Sequence, residues 1–166
     1  MTTATPSGQR PWHVRPLLRT DLSQWLPLWE GYNHFYGLVG DAALPEAVTQ
    51  ATWERFFDAA EPMHALVAER DGHLLGLAHY LFHRSTARIS LHCYLEDLFT
   101  LPPARGQGVG HALIQAVVQA AKDAGSSRVY WHTQHHNAQA RALYDKVAAH
   151  QGFIVYAVGV NGDEAA

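Results

Sequence analysis

Apolar residues fall at helical spacing in two early stretches of this chain and two late ones. In between they alternate or run together. His13–Leu18 alternates weakly and predicts a first strand. Thr20 or Asp21 offers an N-cap, and behind it Leu22, Trp25, Leu26, Trp29 and Tyr32 mark one helical face. Pro27 interrupts that face and predicts a kink or a helix boundary. Pro45 suits the first turn of a second helix, with Val48, Trp53, Phe56 and Phe57 facing inward and Pro62 closing the segment. Ala65–Glu69, the turn Asp71-Gly72 and Leu74–Phe82 read as a hairpin, because glycine accepts the positive φ that such turns demand. Ile89–Leu101 adds a third strand to this meander. Leu113, Ile114, Val117, Val118 and Ala121 then form an apolar helical stripe that Gly125 stops. Arg128–Thr133 reads as a strand. Asn137 caps a helix carrying Ala140, Leu143, Tyr144 and Val147, which Gly152 ends, and Phe153–Val160 reads as a last strand. The order β-α-α-β-β-β-α-β-α-β predicts an α/β fold: a mixed central sheet with flanking helices, an antiparallel meander joined to parallel strands.

Composition narrows the class. With 166 residues, 48% apolar and 16% charged, the chain suits one packed domain. Residues 12–160 are expected to form it, between a flexible arm at 1–11 and a polar tail at 161–166. The arm lacks the apolar segment of a signal peptide, and no run of about 18 apolar residues predicts a membrane span. A net charge of −3 gives no basic patch for nucleic acid. The single cysteine, Cys93, excludes an intrachain disulfide and fits a reducing cytoplasm. It falls mid-strand, where a buried small hydrophobe is expected.

The chemistry concentrates in Leu98–His111, LFTLPPARGQGVGH. A strand runs into a loop that opens a helix with three glycines in five residues. The first amides of a helix lack internal partners, the helix dipole is positive there, and glycines let backbone approach a diphosphate. Arg105 adds a fixed charge. The loop has neither the dinucleotide spacing nor the Lys-Ser/Thr of a P-loop. His132, His135 and His136 do not have the spacing of a catalytic metal site, so no metal is expected.

Arg105-Gly106-Gln107-Gly108-Val109-Gly110 resembles the R/Q-x-x-G-x-G/A loop of the GNAT acetyltransferases. Downstream, Asn137, Ala140, Leu143 and Tyr144, followed by Gly152-Phe153, resemble that superfamily's N-x-x-A-x-x-L/F-Y pattern. The likeness runs over roughly residues 65–160. Cys93-Tyr94-Leu95-Glu96-Asp97-Leu98-Phe99 resembles the Y-x-E-D strand of the branch that contains polyamine, thialysine and histone/polyamine acetyltransferases.

The resemblance implies an N-acetyltransferase that uses acetyl-CoA. Backbone groups of Leu98, Phe99 and Thr100 would pair with the pantetheine arm between splayed parallel strands. Arg105, Gly106, Gln107, Gly108, Val109 and Gly110 would hold the pyrophosphate. Asn137 would contact the cofactor, or serve as a plain N-cap, or both. Glu96 is the first candidate to take the amine's proton, or else binds a cationic substrate, with His92 behind it. Alternation would let only one of Glu96 and Asp97 face the cleft. Tyr144 would return a proton to the CoA thiolate, or pack half-buried. Tyr32, Tyr36 and Asp97 would line the acceptor site, where aromatic faces and carboxylates favour a cation. The acceptor is then a small polyamine or a basic amino acid, with a protein lysine or N-terminus as alternative; a non-catalytic acyl-CoA-binding module is the rival class. Family habit implies a homodimer.

Overall fold

The computed structural model describes residues 12–160, so the expected arm and tail lie outside the described residues. The elements are β1 (His13–Pro16), α1 (Leu22–Phe35), α2 (Glu46–Arg55), β2 (Met63–Arg70), β3 (His73–His83), β4 (His92–Thr100), α3 (Val109–Asp123), β5 (Arg128–Tyr130) and α4 (Ala138–Val147). They fall in two compact units, one running to His132 and one starting at Thr133.

The first unit holds a five-stranded sheet in the order β1-β2-β3-β4-β5. β1 to β4 pair antiparallel, and β4 pairs β5 in parallel, so the sheet is mixed as expected. The β2–β3 connection is the expected tight turn: Asp71 (φ 52°) and Gly72 (φ 78°) are both left-handed, which matches the twist of the strands they join.

α1 and α2 cover one face of this sheet. Trp25, Leu28, Trp29 and Trp53 bury against Val67, Leu77 and Phe99. Trp25 stacks on Trp29 at 5.7 Å and tilts against Trp53 at 5.1 Å. Such pairs add about 0.5–1.5 kcal/mol each beyond the area they bury. This cluster explains why Pro27 does not divide the helix: α1 runs through it for 14 residues. A proline inside a helix costs roughly 3 kcal/mol, and the buried Trp25, Leu28 and Trp29 on either side offset it. α3 presents Leu113, Ile114, Val117 and Ala121 as its buried stripe, ended by Gly125 at φ 68°.

Several expected boundaries move. Ile89 lies outside β4 and is almost fully exposed. Val48 faces solvent, whereas Trp53, Phe56 and Phe57 pack on the core. α4 ends at Val147, five residues short of Gly152. No strand forms over 153–160, where an isolated bridge at Val160 is the only ladder contact. A β-prone run becomes a strand only where a neighbour supplies its hydrogen bonds, so Phe153, Ile154, Val155, Tyr156 and Val158 are exposed.

Candidate active site

β4 positions the site in the first unit. Its parallel pairing with β5 covers only His92↔Arg128, Cys93↔Val129 and Tyr94↔Tyr130. From Leu95 to Thr100 it continues on β3 alone, since β5 ends at Tyr130. The backbone edge of Leu98, Phe99 and Thr100 therefore has no β5 residue paired with it.

The β3–β4 ladder slips by one residue. His79 opposes Asp97, but Tyr80 opposes Leu95, and Glu96 is the extra residue of a bulge. A bulge breaks the two-residue alternation of a strand. Tyr94 opposes Leu81 and Asp97 opposes His79. Leu81 and His79 lie two apart on β3, so Tyr94 and Asp97 share a face of the sheet. Strict alternation between Glu96 and Asp97 thus does not hold. The two carboxyls interact: burial first, and the Asp97 charge second, raise the Glu96 pKa above the ordinary range. Residue Glu96 is nevertheless solvent-exposed.

The rings of Tyr32 and Tyr36, at the end of α1, meet at 4.9 Å between centres. The charges of Asp97 and Glu96 both act on the Tyr32 hydroxyl. Its phenol is pushed far above the ordinary value, chiefly by burial and then by the Asp97 charge. The structure thus brings Tyr32, Tyr36, Glu96 and Asp97 together. Asp97 itself is 9% exposed. Its Oδ2 lies 2.9 Å from His79 Nδ1, and Trp25 Nε1 donates to His79 Nε2 at 3.0 Å. Sequence reasoning missed His79 and the polar role of Trp25. One signal was legible: His79 is a polar residue in the middle of the apolar run from Leu74 to Phe82.

Beyond Thr100 the chain turns through Pro102–Ala104. Arg105 Nε donates to the Thr100 carbonyl at 3.1 Å, and its guanidinium sits 5.7 Å from the Phe99 ring centre. Gln107 donates to the Pro103 carbonyl at 2.9 Å. Gly106 (φ 74°) and Gly108 (φ 85°) are left-handed, and Gly108 is the N-cap of α3. The first intrahelical bond runs from Ala112 N–H to the Gly108 carbonyl. The amides of Val109, Gly110 and His111 precede it and have no partner inside the helix. A left-handed glycine cap with a row of leading amides is a geometry that holds an oxyanion group.

Two neighbouring candidates read differently. Cys93 is fully buried, and burial pushes its thiol up to about 11, which keeps it protonated at neutral pH. Burial, His83 and two arginines lower the His92 pKa. Asn137 and Tyr144 belong to the second unit. Asn137 Oδ1 accepts from Ala140 N–H at 3.3 Å, which makes it the N-cap of α4. Tyr144 lies in α4 and is half-buried.

Residues 25–149 match the family described as the Acetyltransferase (GNAT) family. The D-amino-acid N-acetyltransferase HPA3 of Saccharomyces cerevisiae is 33% identical over 145 residues, covering 86% of this chain and 88% of its own. The uncharacterized N-acetyltransferase YhfO of Bacillus subtilis is 29% identical over 150 residues, 89% of this chain and 97% of its own. Among solved structures, that of AAC(6')-Iy with the bisubstrate analog CoA-S-monomethyl-acetylneamine has a TM-score of 0.76 at 20% identity, over 90% of this chain and 98% of that one.

Proposed function

Since this chain belongs to the GNAT acetyltransferase family, and is thereby an acetyl-CoA-dependent N-acetyltransferase, we propose that its acceptor is the primary amine of a small cation. A basic amino acid or a polyamine fits best. The observation that carries this is the cluster of Tyr32, Tyr36, Glu96 and Asp97 beside the open edge of β4. Two carboxyls and two phenol rings favour an alkylammonium. The relatives' names support an amine of this size: one is a D-amino-acid N-acetyltransferase, and thialysine N-epsilon-acetyltransferase of Bos taurus is 34% identical over 76 residues.

In this reading Arg105 and the amides from Gly106 to Gly110 hold the pyrophosphate. The Leu98–Thr100 edge pairs with the pantetheine arm, and Asn137 contacts the same cosubstrate while capping α4. The acceptor arrives as an ammonium with a pKa of about 10.4 and must lose a proton before attack. Glu96, whose carboxyl is already raised, takes that proton. The neutral amine then adds to the thioester carbonyl, the C–S bond breaks with loss of the CoA thiolate, and the nitrogen gives its second proton to solvent, leaving the neutral amide. Tyr144 supplies the thiolate with its proton. Residues 12–160 act as one catalytic domain, in the cytoplasm and as a homodimer. The exposed apolar run at 153–160 supports an interface with a second copy.

The test is calorimetric titration with acetyl-CoA, followed by a panel of amines with free thiol release as the signal. Binding with release on one basic amine is expected. Binding without release on any amine would replace this reading with an acyl-CoA-binding module. Tyr144→Phe is expected to lower kcat by about 10²-fold or more, the usual worth of a proton donor, while acetyl-CoA affinity changes little. Unchanged turnover would remove Tyr144 from the mechanism.

A further inference from the structure

His79 is the most deeply buried polar side chain among the described residues, 1% exposed. It is walled by the rings of Trp25, Trp29 and Phe56, whose centres lie 5.9, 5.4 and 4.5 Å away. Both ring nitrogens have partners: Trp25 Nε1 at 3.0 Å and Asp97 Oδ2 at 2.9 Å.

These contacts fix where the proton sits. An indole N–H is a donor only, so His79 Nε2 must present its lone pair to Trp25. The ring proton is then on Nδ1 and is donated to Asp97. A second proton on the ring would set N–H against N–H in an apolar pocket, and an unmade buried bond is expensive. While Trp25 is in place, His79 is a neutral donor.

We propose that Trp25 and His79 are positioning residues that hold Asp97 as an aimed but unneutralised carboxylate for the ammonium of the acceptor. This rests on the amine-acetyltransferase reading above. A neutral imidazole orients the carboxylate without cancelling its charge, as an arginine or lysine would. Among the described residues no Arg or Lys lies within ion-pair distance of Asp97. The Tyr32 phenol that faces Asp97 is neutral too. The titratable groups facing this centre are Asp97 and Glu96 from β4 and Tyr32 and Tyr36 from α1. Trp29 of α1 and Phe56 at the end of α2 contribute only apolar rings.

Three variants and one spectrum test it. Isotope-edited nitrogen NMR of labelled histidines should show His79 protonated on Nδ1 and bare on Nε2. His79→Leu removes the donor to Asp97 and should raise the acceptor KM about ten-fold, the loss of one charge-assisted hydrogen bond, with acetyl-CoA affinity unchanged. His79→Asn places an amide N–H near the lost Nδ1–H and should recover most of that loss. Trp25→Phe removes the donor that fixes the tautomer, so its nitrogen spectrum should show a share of Nε2–H, and its acceptor KM should rise because that tautomer does not donate to Asp97. An Nε2–H tautomer or an imidazolium in wild type would overturn the proposal. So would a Trp25→Phe protein with the wild-type nitrogen spectrum and acceptor KM, or a normal acceptor KM in folded His79→Leu. If His79→Leu does not fold, the other variants and the spectrum still decide. If wild type releases thiol on no amine, the acceptor reading fails instead, and the NMR result stands apart from it.

Discussion

Gly108 is the residue on which the Arg105–Gly110 loop turns, and Gly108→Ala separates two physical demands on it. A Cβ built there meets only Trp12 Cζ2, at 3.8 Å, an ordinary van der Waals contact. Space is therefore no obstacle. Its φ of 85° is one, because an L residue in the left-handed region costs roughly 1–2 kcal/mol. That energy must be lost in one of two places. If the loop keeps its shape, the folded state bears the strain, and Tm falls by about 2–8 °C for a chain of this size. If the loop relaxes, the leading amides of α3 turn away, and the acetyl-CoA Kd rises by about 5–30-fold. Scanning calorimetry and isothermal titration on the same sample read both. Gly108→Asn is the control: asparagine visits the left-handed region more readily, so both losses should be smaller. A Gly108→Ala protein with wild-type Tm and wild-type Kd would refute the argument. Equal losses in the alanine and asparagine variants would refute it too, by showing that backbone handedness is not the cause.

Two further predictions concern charge. Burial and Asp97 raise the Glu96 pKa, so the folded state binds that proton more tightly than the unfolded chain, and stability falls as pH rises from the ordinary value of about 4.3 through the folded value. Glu96→Gln should therefore have the higher Tm at pH 7, and thermal scans should show the difference vanishing below about pH 4; a constant difference would contradict it. Asp21 is buried and accepts from Arg15 at 2.7 and 2.9 Å and from Leu18 N–H at 2.8 Å, which holds its pKa below the ordinary range. Asp21→Ala should cost about 1.5–3 kcal/mol in urea unfolding at pH 7. That stabilisation is present above about pH 3.9 and is lost as pH falls through the folded value, so wild type and variant should converge in strong acid.

What the sequence made legible was whatever local spacing controls. The left-handed turn at Asp71-Gly72, the α3 stripe from Leu113 to Ala121, and the glycines of the Arg105–Gly110 loop all declare themselves within a few residues. The paired motifs gave the family for the same reason. The continuity of α1 through Pro27 was not legible, because it depends on burial of Trp25, Leu28 and Trp29 against distant strands. Neither was the state of 153–160, whose composition is that of a strand but whose pairing is not local. Within the candidate site, Tyr32, Tyr36, Glu96 and Asp97 were named from the sequence. Their meeting is a tertiary fact, carried by α1 lying over β4. His79 escaped because a histidine in an apolar strand has no short-range mark of its partners, Trp25 and Asp97, which lie 54 positions before it and 18 after it.

The ladder slip at Glu96 turns the division between the two faces of β4 into a question of parity. Tyr94 and Asp97 are three residues apart, an odd number, yet they look out from the same side. One inserted position makes that possible. Deleting Glu96 would leave Tyr94 and Asp97 two positions apart, and ordinary alternation would keep them on that side. Pairing Glu96 into a regular ladder would do the opposite: either Tyr94 or the pair Asp97 and Phe99 would have to exchange sides. Phe99 belongs to the tryptophan cluster under α1, so that exchange would put a phenylalanine in the wrong layer as well as disarm the site. In this strand the slip, and not the count of residues, decides which layer each side chain enters.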